Sequence, residues 1–101
     1  MNFVMLLVFK MNDKLCELCE RQKPLTKHHL IPRAVHTKKR FIRKFGKTEM
    51  KNRGINLCKL CHKGIHDLYS EIEFADNFNT KELLVSDEKI SKHIDWVRKQ
   101  K

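Results

Sequence analysis

Two Cys-x-x-Cys pairs constrain this chain more than any other feature of its sequence. Cys16 with Cys19 and Cys58 with Cys61 account for all four cysteines among its 101 residues. Two such pairs supply four thiolates, which is a ligand set of tetrahedral structural zinc. Two disulfides or a thiol redox pair are the alternatives, but paired cysteines in a reducing compartment favour metal. The sequence therefore predicts a structural zinc ion that joins distant parts of a small domain.

An apolar run near the N-terminus, Phe3 to Phe9, bears on where in the cell the protein is located. It is too short to cross a bilayer, and it has no basic lead-in or small-residue cleavage site, so it is a poor signal peptide. We expect this run to form a strand or the start of a helix. We also expect the protein to be cytoplasmic and not to associate with a membrane. A chain of 101 residues has room for one domain, and we predict a single domain over residues 1–101.

The coarse secondary structure follows from periodicity and from helix-capping residues. Residues 28–31 are expected to be extended ahead of Pro32, and residues 33–53 to be partly helical. Residues 55–57 are expected to form a short strand. Apolar residues at three- and four-residue steps predict one helix from Cys61 to about Phe74. Thr80 is a predicted N-cap for a helix over 81–85, and Ser86 or Asp87 for a last helix to about Lys99.

The net charge of +10 is concentrated in the middle of the chain. Residues 21–66 carry fourteen Lys or Arg and one acid, a net +13, whereas residues 67–101 carry six bases and eight acids. A one-sided basic surface attracts polyanions, most often nucleic acid. The basic stretch from Arg33 to Arg53 is the predicted contact to the phosphate backbone, with these residues as its candidates: Arg33, Lys38, Lys39, Arg40, Arg43 and Lys44.

Four of the six histidines fall into two motifs, His28-His29-Leu-Ile-Pro32 and Cys61-His62-x-x-x-His66. On a helix, His62 and His66 lie one turn apart on the same face and can grip one metal ion. His28 and His29 are neighbours in an extended segment, so their side chains diverge. One of them could bind the metal while the other faces water or substrate. The remaining two, His36 and His93, are assigned no role beyond surface contacts.

At this point the chain resembles the HNH endonuclease family. The resemblance covers residues 14–70 and is carried by the two Cys-x-x-Cys pairs, by His28-His29-Leu-Ile-Pro32, and by Asn56-Leu-Cys58-x-x-Cys61-His62-x-x-x-His66. It implies an α+β fold with a small ββα-metal core over 14–70, stapled by the four-cysteine zinc site. Residues 71–101 would then be a helical C-terminal scaffold.

The resemblance also implies a metal-dependent DNA endonuclease that leaves a 5′-phosphate and a 3′-hydroxyl. His29 would be the general base, and His28, His62 and His66 would hold a single catalytic divalent cation. The family's middle Asn usually lies about nine residues before the helix histidine, where this chain has Arg53. Asn52 and Asn56 are the nearest substitutes for that supporting role.

A catalytic site of three imidazoles suits Mn²⁺, Ni²⁺, Co²⁺ or Zn²⁺ better than Mg²⁺, which prefers oxygen ligands. The expected partner is DNA, with RNA as an alternative substrate, and a homodimer is expected if both strands are cut. Two other functions explain part of the sequence. A non-catalytic zinc-dependent nucleic-acid-binding module uses the cysteines and the charge, and an adaptor for an acidic protein does the same, but both leave the histidines idle.

Overall fold

The computed structural model describes residues 14–101, and within that range the chain is a small α+β protein. A two-stranded antiparallel sheet and six α-helices make up the described part, which confirms the predicted fold class. The apolar run over residues 3–9 lies outside the described residues. The elements, with labels used below, are β1 (Leu25–His29), a 3-10 turn (Arg33–Val35), α1 (Lys39–Phe45), α2 (Lys47–Asn52), β2 (Gly54–Cys58), α3 (Lys59–Leu68), α4 (Glu71–Asn77), α5 (Lys81–Ser86) and α6 (Glu88–Arg98).

The sheet pairs β1 with β2, and its register positions both histidines of β1. His28 lies opposite Ile55 and His29 lies opposite Gly54. Side chains alternate between the two faces of a strand, so Ile55 and Leu57 are buried while the intervening Asn56 is exposed. The strand predicted at residues 55–57 is therefore confirmed, and it is longer by one residue at each end.

Helix α3 follows β2 directly and completes a β-β-α unit. Its N-cap is Cys58, whose sulfur accepts a hydrogen bond from the backbone N–H of Cys61. The buried side of α3 packs against α6, whose Ile90, Ile94 and Val97 are all buried. As expected from the apolar spacing, these three residues share one face of α6, and Trp96 beside them is half exposed.

The prediction of one helix from Cys61 to about Phe74 is wrong. The chain turns extended at Tyr69 and Ser70, and a second helix, α4, begins at Glu71. The reason is local: Ser70 and Glu73 form a capping box, in which each side chain accepts a hydrogen bond from the other residue's backbone N–H. Phe74 lies in this second helix, and the apolar residues before and after the break still recur at a helical spacing.

The remaining caps follow the sequence. Thr80 accepts from the N–H of Leu83 to begin α5, and Asp87, the second of the two predicted candidates, accepts from Ile90 to begin α6. In the basic stretch, partly helical as expected, α1 and α2 are separated by Gly46, whose φ of +82° suits glycine.

Two groups of buried side chains support the fold. The larger joins the cysteines to the apolar faces of β2, α3 and α6, and the smaller lies under α1 and α2 around Phe41 and Met50. Arg40 ties α1 to α4 through an ion pair with Asp76, at 2.6 Å. Among residues 14–101, no helix has the length and apolar character needed to cross a bilayer.

Candidate active site

The four cysteines converge in the buried interior, where the turn that carries Cys16 and Cys19 (the first knuckle) meets β2 and α3. All are buried, and their sulfur atoms lie within 4.8 Å of one another. The two pairs meet because Glu17, between the first two cysteines, bonds to β2: its backbone N–H donates to the carbonyl of Asn56, and its carboxylate accepts from the N–H of the same residue. The predicted convergence of both pairs on one centre is confirmed.

The spacing of the sulfur atoms fits a tetrahedral ion. Cys19 Sγ and Cys58 Sγ are 3.7 Å apart, far longer than a disulfide bond of about 2.05 Å. Metal–sulfur bonds of about 2.3 Å in tetrahedral geometry require sulfur–sulfur distances of about 3.8 Å. The four cysteines could therefore bind a structural metal ion such as zinc.

Arg21 lies beside this cluster and was not anticipated from the sequence. Its Nη2 donates to Cys58 Sγ at 3.6 Å, and its backbone N–H donates to Cys19 Sγ at 3.5 Å. Another guanidinium nitrogen of Arg21 donates to the carbonyl of Gln100, near the C-terminus. A cation in this position partly offsets the negative charge that four thiolates would bring.

The second cluster consists of His28 from β1 with His62 and His66 from α3. Their ligand nitrogens lie within 4.8 Å of one another, and their ring centroids are 4.9 to 5.3 Å apart. His62 and His66 share one face of α3 as expected from their spacing. Imidazoles from two remote segments thus meet at one point, which could hold a metal ion.

His28 is the most informative member of this cluster. It is 1% exposed, and neither of its ring nitrogens has a hydrogen-bond partner among the described residues. Burial, followed by the neighbouring His66, His62 and His29, lowers the pKa of His28 to about 3. A buried polar group without a partner costs free energy. A neutral imidazole held in this way is suited to binding a metal ion.

His62 is oriented by Thr26, on the neighbouring strand β1. Thr26 Oγ1 lies 2.7 Å from His62 Nδ1 and donates to the carbonyl of Leu57 at 3.3 Å. This contact engages Nδ1 of His62 with the Thr26 hydroxyl, which leaves Nε2 as the ring nitrogen able to bind a metal.

The Thr26→Val variant is expected to bind metal at the histidine cluster about 10- to 100-fold more weakly, since partners that orient a metal-bound histidine typically contribute that much. Titration with Ni²⁺ by calorimetry, on protein that retains its cysteine-bound metal, measures the change. Thr37→Val, in the exposed turn before α1, is the matched control. Equal affinity in both variants would show that Thr26 does not orient His62.

His29 is not part of the three-histidine cluster, but it lines a small cavity together with all three of its members. It is partly buried and lines a cavity of about 520 Å³ together with basic residues. Burial, with Lys27, Arg33 and His36 nearby, lowers the pKa of His29. The ring is therefore neutral near pH 7 and can accept a proton.

The two candidate asparagines belong to different elements: Asn52 ends α2, and Asn56 lies on β2 opposite Lys27. Asn52 and Asn56 are exposed, and neither side chain forms a recorded hydrogen bond to His29 in the described part of the chain. Arg53, at the family's Asn position, instead braces the segment after His29, because its carbonyl accepts from the N–H of Leu30 at 3.1 Å. The supporting role of either asparagine stays a prediction.

The basic candidates divide by their surroundings. Arg33 lines both the cavity beside His29 and a smaller one shared with the histidine cluster. Four others are exposed on α1 or just before it: Lys38, Lys39, Arg43 and Lys44. Arg40 is engaged with Asp76 and lies 4.0 Å from the centre of the Phe41 ring, so it is less free to bind a phosphate.

Several residues at the two sites carry no sequence signal of their own. His36, left without a role, donates from Nε2 to the carbonyl of Ile31 and stands near His29. His93 likewise binds the Leu60 carbonyl. Glu71 lines the smaller cavity beside His62 and His66. Only the pairing of β1 with β2 and the turn before α4 bring these groups together.

Comparison with known proteins gives one informative similarity. The chain is 39% identical over 87 residues to the uncharacterized protein YisB of Bacillus subtilis (strain 168), an alignment that covers 85% of this chain and 75% of YisB. This chain belongs to the YisB family. No protein-family model matches it, and no solved structure matches it. Because YisB is itself uncharacterized, this membership assigns no activity, and function must be argued from the site.

Proposed function

We propose that this YisB-family protein is a metal-dependent DNA endonuclease of the HNH type that hydrolyses phosphodiester bonds. The observation that carries the proposal is His28, buried with two unpartnered ring nitrogens against His62 and His66. A protein that only binds DNA or an acidic partner has no use for that arrangement. The histidine next to it, His29, lines both a basic cavity suited to a phosphodiester and the smaller cavity that reaches the three clustered histidines.

The cysteine cluster is proposed to hold Zn²⁺ in a structural role. Four thiolates with no position left for water are typical of structural zinc sites. The burial of all four sulfur-bearing side chains and the 3.7 Å sulfur–sulfur distance support this assignment. Its place between the first knuckle and the β-β-α unit would brace the elements that carry the histidines.

His28, His62 and His66 would hold the catalytic cation. Bound there, a divalent cation supplies Lewis-acid stabilisation of the negative charge that develops on the phosphate and the leaving oxygen. The chain's part is to hold three imidazoles in place, with the Thr26 hydroxyl engaging Nδ1 of His62 at 2.7 Å. Burial lowers the pKa of both His28 and His62, so protons compete weakly for these two nitrogens near pH 7.

His29 is the proposed general base. Its neutral ring would take a proton from water as the water oxygen attacks phosphorus, and the 3′-oxygen would leave as its bond to phosphorus breaks and take a proton from solvent. The products would be a 5′-phosphate and a 3′-hydroxyl. The exposed residues of α1 would contact backbone phosphates, which position the nucleic acid but carry little sequence information.

The proposal is tested by incubating supercoiled plasmid with the zinc-loaded protein in Mn²⁺, with an excess of EDTA as the control. Conversion to the open-circular or linear form only in Mn²⁺ supports the endonuclease. Retarded migration without cleavage would replace it with the nucleic-acid-binding module. Neither cleavage nor retardation would leave the adaptor for an acidic protein.

Nicking is expected to be faster in Mn²⁺ or Ni²⁺ than in Mg²⁺ at the same concentration. The reason is the ligand set, because three imidazoles favour these ions and Mg²⁺ demands oxygen. Initial rates over a series of metal concentrations measure the preference. Equal or higher rates in Mg²⁺ would count against a site built from His28, His62 and His66.

A further inference from the structure

A cavity lies beside His29, and four basic side chains from three segments line it. The cavity is about 520 Å³, and its cations are Lys27 of β1, Arg33 of the 3-10 turn, and Lys47 and Lys51 of α2. Among the lining residues that the structure describes, none is acidic. Of these four, only Arg33 was named as a candidate from the sequence. Lys47 and Lys51 also lie in the basic stretch from Arg33 to Arg53, and Lys27 lies before it.

Helix α2 presents two distinct faces, and only one of them belongs to the cavity. Lys47, Met50 and Lys51 occupy positions i, i+3 and i+4, so they share a face. Glu49, the single acid of the basic middle segment, points elsewhere and pairs with Arg53 at 2.7 Å. The acid that could neutralise the cavity is therefore engaged away from it.

The aliphatic part of the Lys27 side chain lies over Gly54 of β2. A Cβ at position 54 would lie 2.5 Å from Lys27 Cε and 3.1 Å from the carbonyl oxygen of His28. Glycine thus leaves the space in which this lysine lies. The absence of a side chain at position 54, opposite His29 in the register, contributes to the shape of the cavity wall.

His29 separates this cavity from the histidine cluster. The smaller cavity of about 210 Å³ that reaches His28, His62 and His66 shares Lys27, His29 and Arg33 with the larger one. If the scissile phosphate of a DNA strand lay beside the histidine cluster, the neighbouring nucleotide of the same DNA strand would therefore lie in the larger cavity.

We propose that this cavity binds one unpaired nucleotide of the strand being cut, immediately beside the scissile phosphate. The inference rests on the proposed function and names the substrate of that site as a locally single-stranded segment. The four cations bind the nucleotide's phosphate, and Met50, 1% exposed, provides an apolar floor for the sugar or base. Charge-assisted hydrogen bonds to phosphate are stronger than neutral ones.

The size of the cavity selects this occupant. A volume of about 520 Å³ lies in the range of small-ligand pockets, roughly 300 to 1,000 Å³, and is too small to admit a duplex. A nucleotide must leave the base stack to enter such a pocket, which costs least where the strand is already unpaired. Duplex DNA would then be cut at or near unpaired positions.

The test measures binding rather than cleavage, on the full chain with its cysteine-bound metal and no added divalent cation. The probe is thymidine 3′,5′-bisphosphate, titrated by calorimetry. The Lys47→Gln/Lys51→Gln variant is expected to bind it at least about tenfold more weakly, since two of four phosphate ligands are lost. The matched control, Lys89→Gln/Lys92→Gln, removes the same charge from exposed positions of α6 outside the cavity and is expected to change affinity less than about threefold.

Two results would overturn the inference. Equal losses in both variants would mean that only the overall positive charge of the protein attracts the probe. Inorganic phosphate binding as tightly as the bisphosphate would mean that the cavity recognises a phosphate and not a nucleotide. Because no cleavage is involved, a selective loss without plasmid nicking would contradict the endonuclease alone, and nicking without a selective loss would contradict this cavity alone.

Discussion

His29→Ala is expected to lower the rate of Mn²⁺-dependent plasmid nicking by about 10²- to 10⁴-fold, the usual contribution of a positioned general base. The side chain has no recorded hydrogen bond among the described residues and is only partly buried, so its loss should disturb the fold little. Single-turnover nicking rates of the variant and the wild type measure the effect.

Two controls separate chemistry from structure in this experiment. His93→Ala makes the same change on α6, where the histidine binds the Leu60 carbonyl, and should nick plasmid at close to the wild-type rate. Ni²⁺ titration of His29→Ala should give wild-type affinity, because His28, His62 and His66 are untouched. Nicking by His29→Ala within threefold of the wild type would remove His29 from the mechanism.

Removing the metal from the cysteine cluster is expected to unfold the protein. Structural zinc contributes on the order of 10–16 kcal/mol of apparent binding free energy in zinc-finger peptides at pH 7. This is as large as the whole free energy of unfolding of a typical domain, about 5–15 kcal/mol. Cys58→Ser should have a similar effect, because Cys58 also caps α3 and accepts from Arg21. Loss of cooperative thermal unfolding, followed by circular dichroism, is the expected result.

The matched control for this prediction is His66→Ala, which removes an exposed ligand of the other cluster. It should keep a cooperative transition near the wild-type melting temperature, because the cysteine cluster is intact. Zn²⁺ should restore the fold of the chelated wild type, and Mg²⁺ should not. A chelated protein that still melts cooperatively at the original temperature would contradict a structural role for the metal.

Features set by local spacing were predictable from the sequence. The two cysteine pairs predict one metal centre, and the four-residue step from His62 to His66 predicts a shared helix face. Thr80 and Asp87 act as the N-caps that their side chains suggest. The caps and the shared helix face depend on backbone geometry over a few residues, and the single metal centre follows from ligand number, because one tetrahedral zinc ion takes four thiolates.

The break between α3 and α4 could have been found and was not. Ser70 and Glu73 have the spacing of a capping box, and they begin a helix at Glu71. The apolar residues on either side keep a helical spacing across the break, which concealed it. A local capping signal here outweighed periodicity, because two reciprocal hydrogen bonds stabilise a new helix start.

What the sequence alone determined about this protein is the chemistry available to it: four thiolates in two pairs, two histidine motifs and a strongly basic middle segment. Only the tertiary structure decided which groups meet, because contacts between remote segments depend on strand register and helix packing. The pairing of His28 with Ile55 buries one histidine against α3, and the pairing of His29 with Gly54 turns the next one into a basic cavity. Lys47 and Lys51, one turn apart on α2, join Lys27 and Arg33 there for the same reason, since the contacts between these three segments arise from folding and cannot be read from the spacing along the chain.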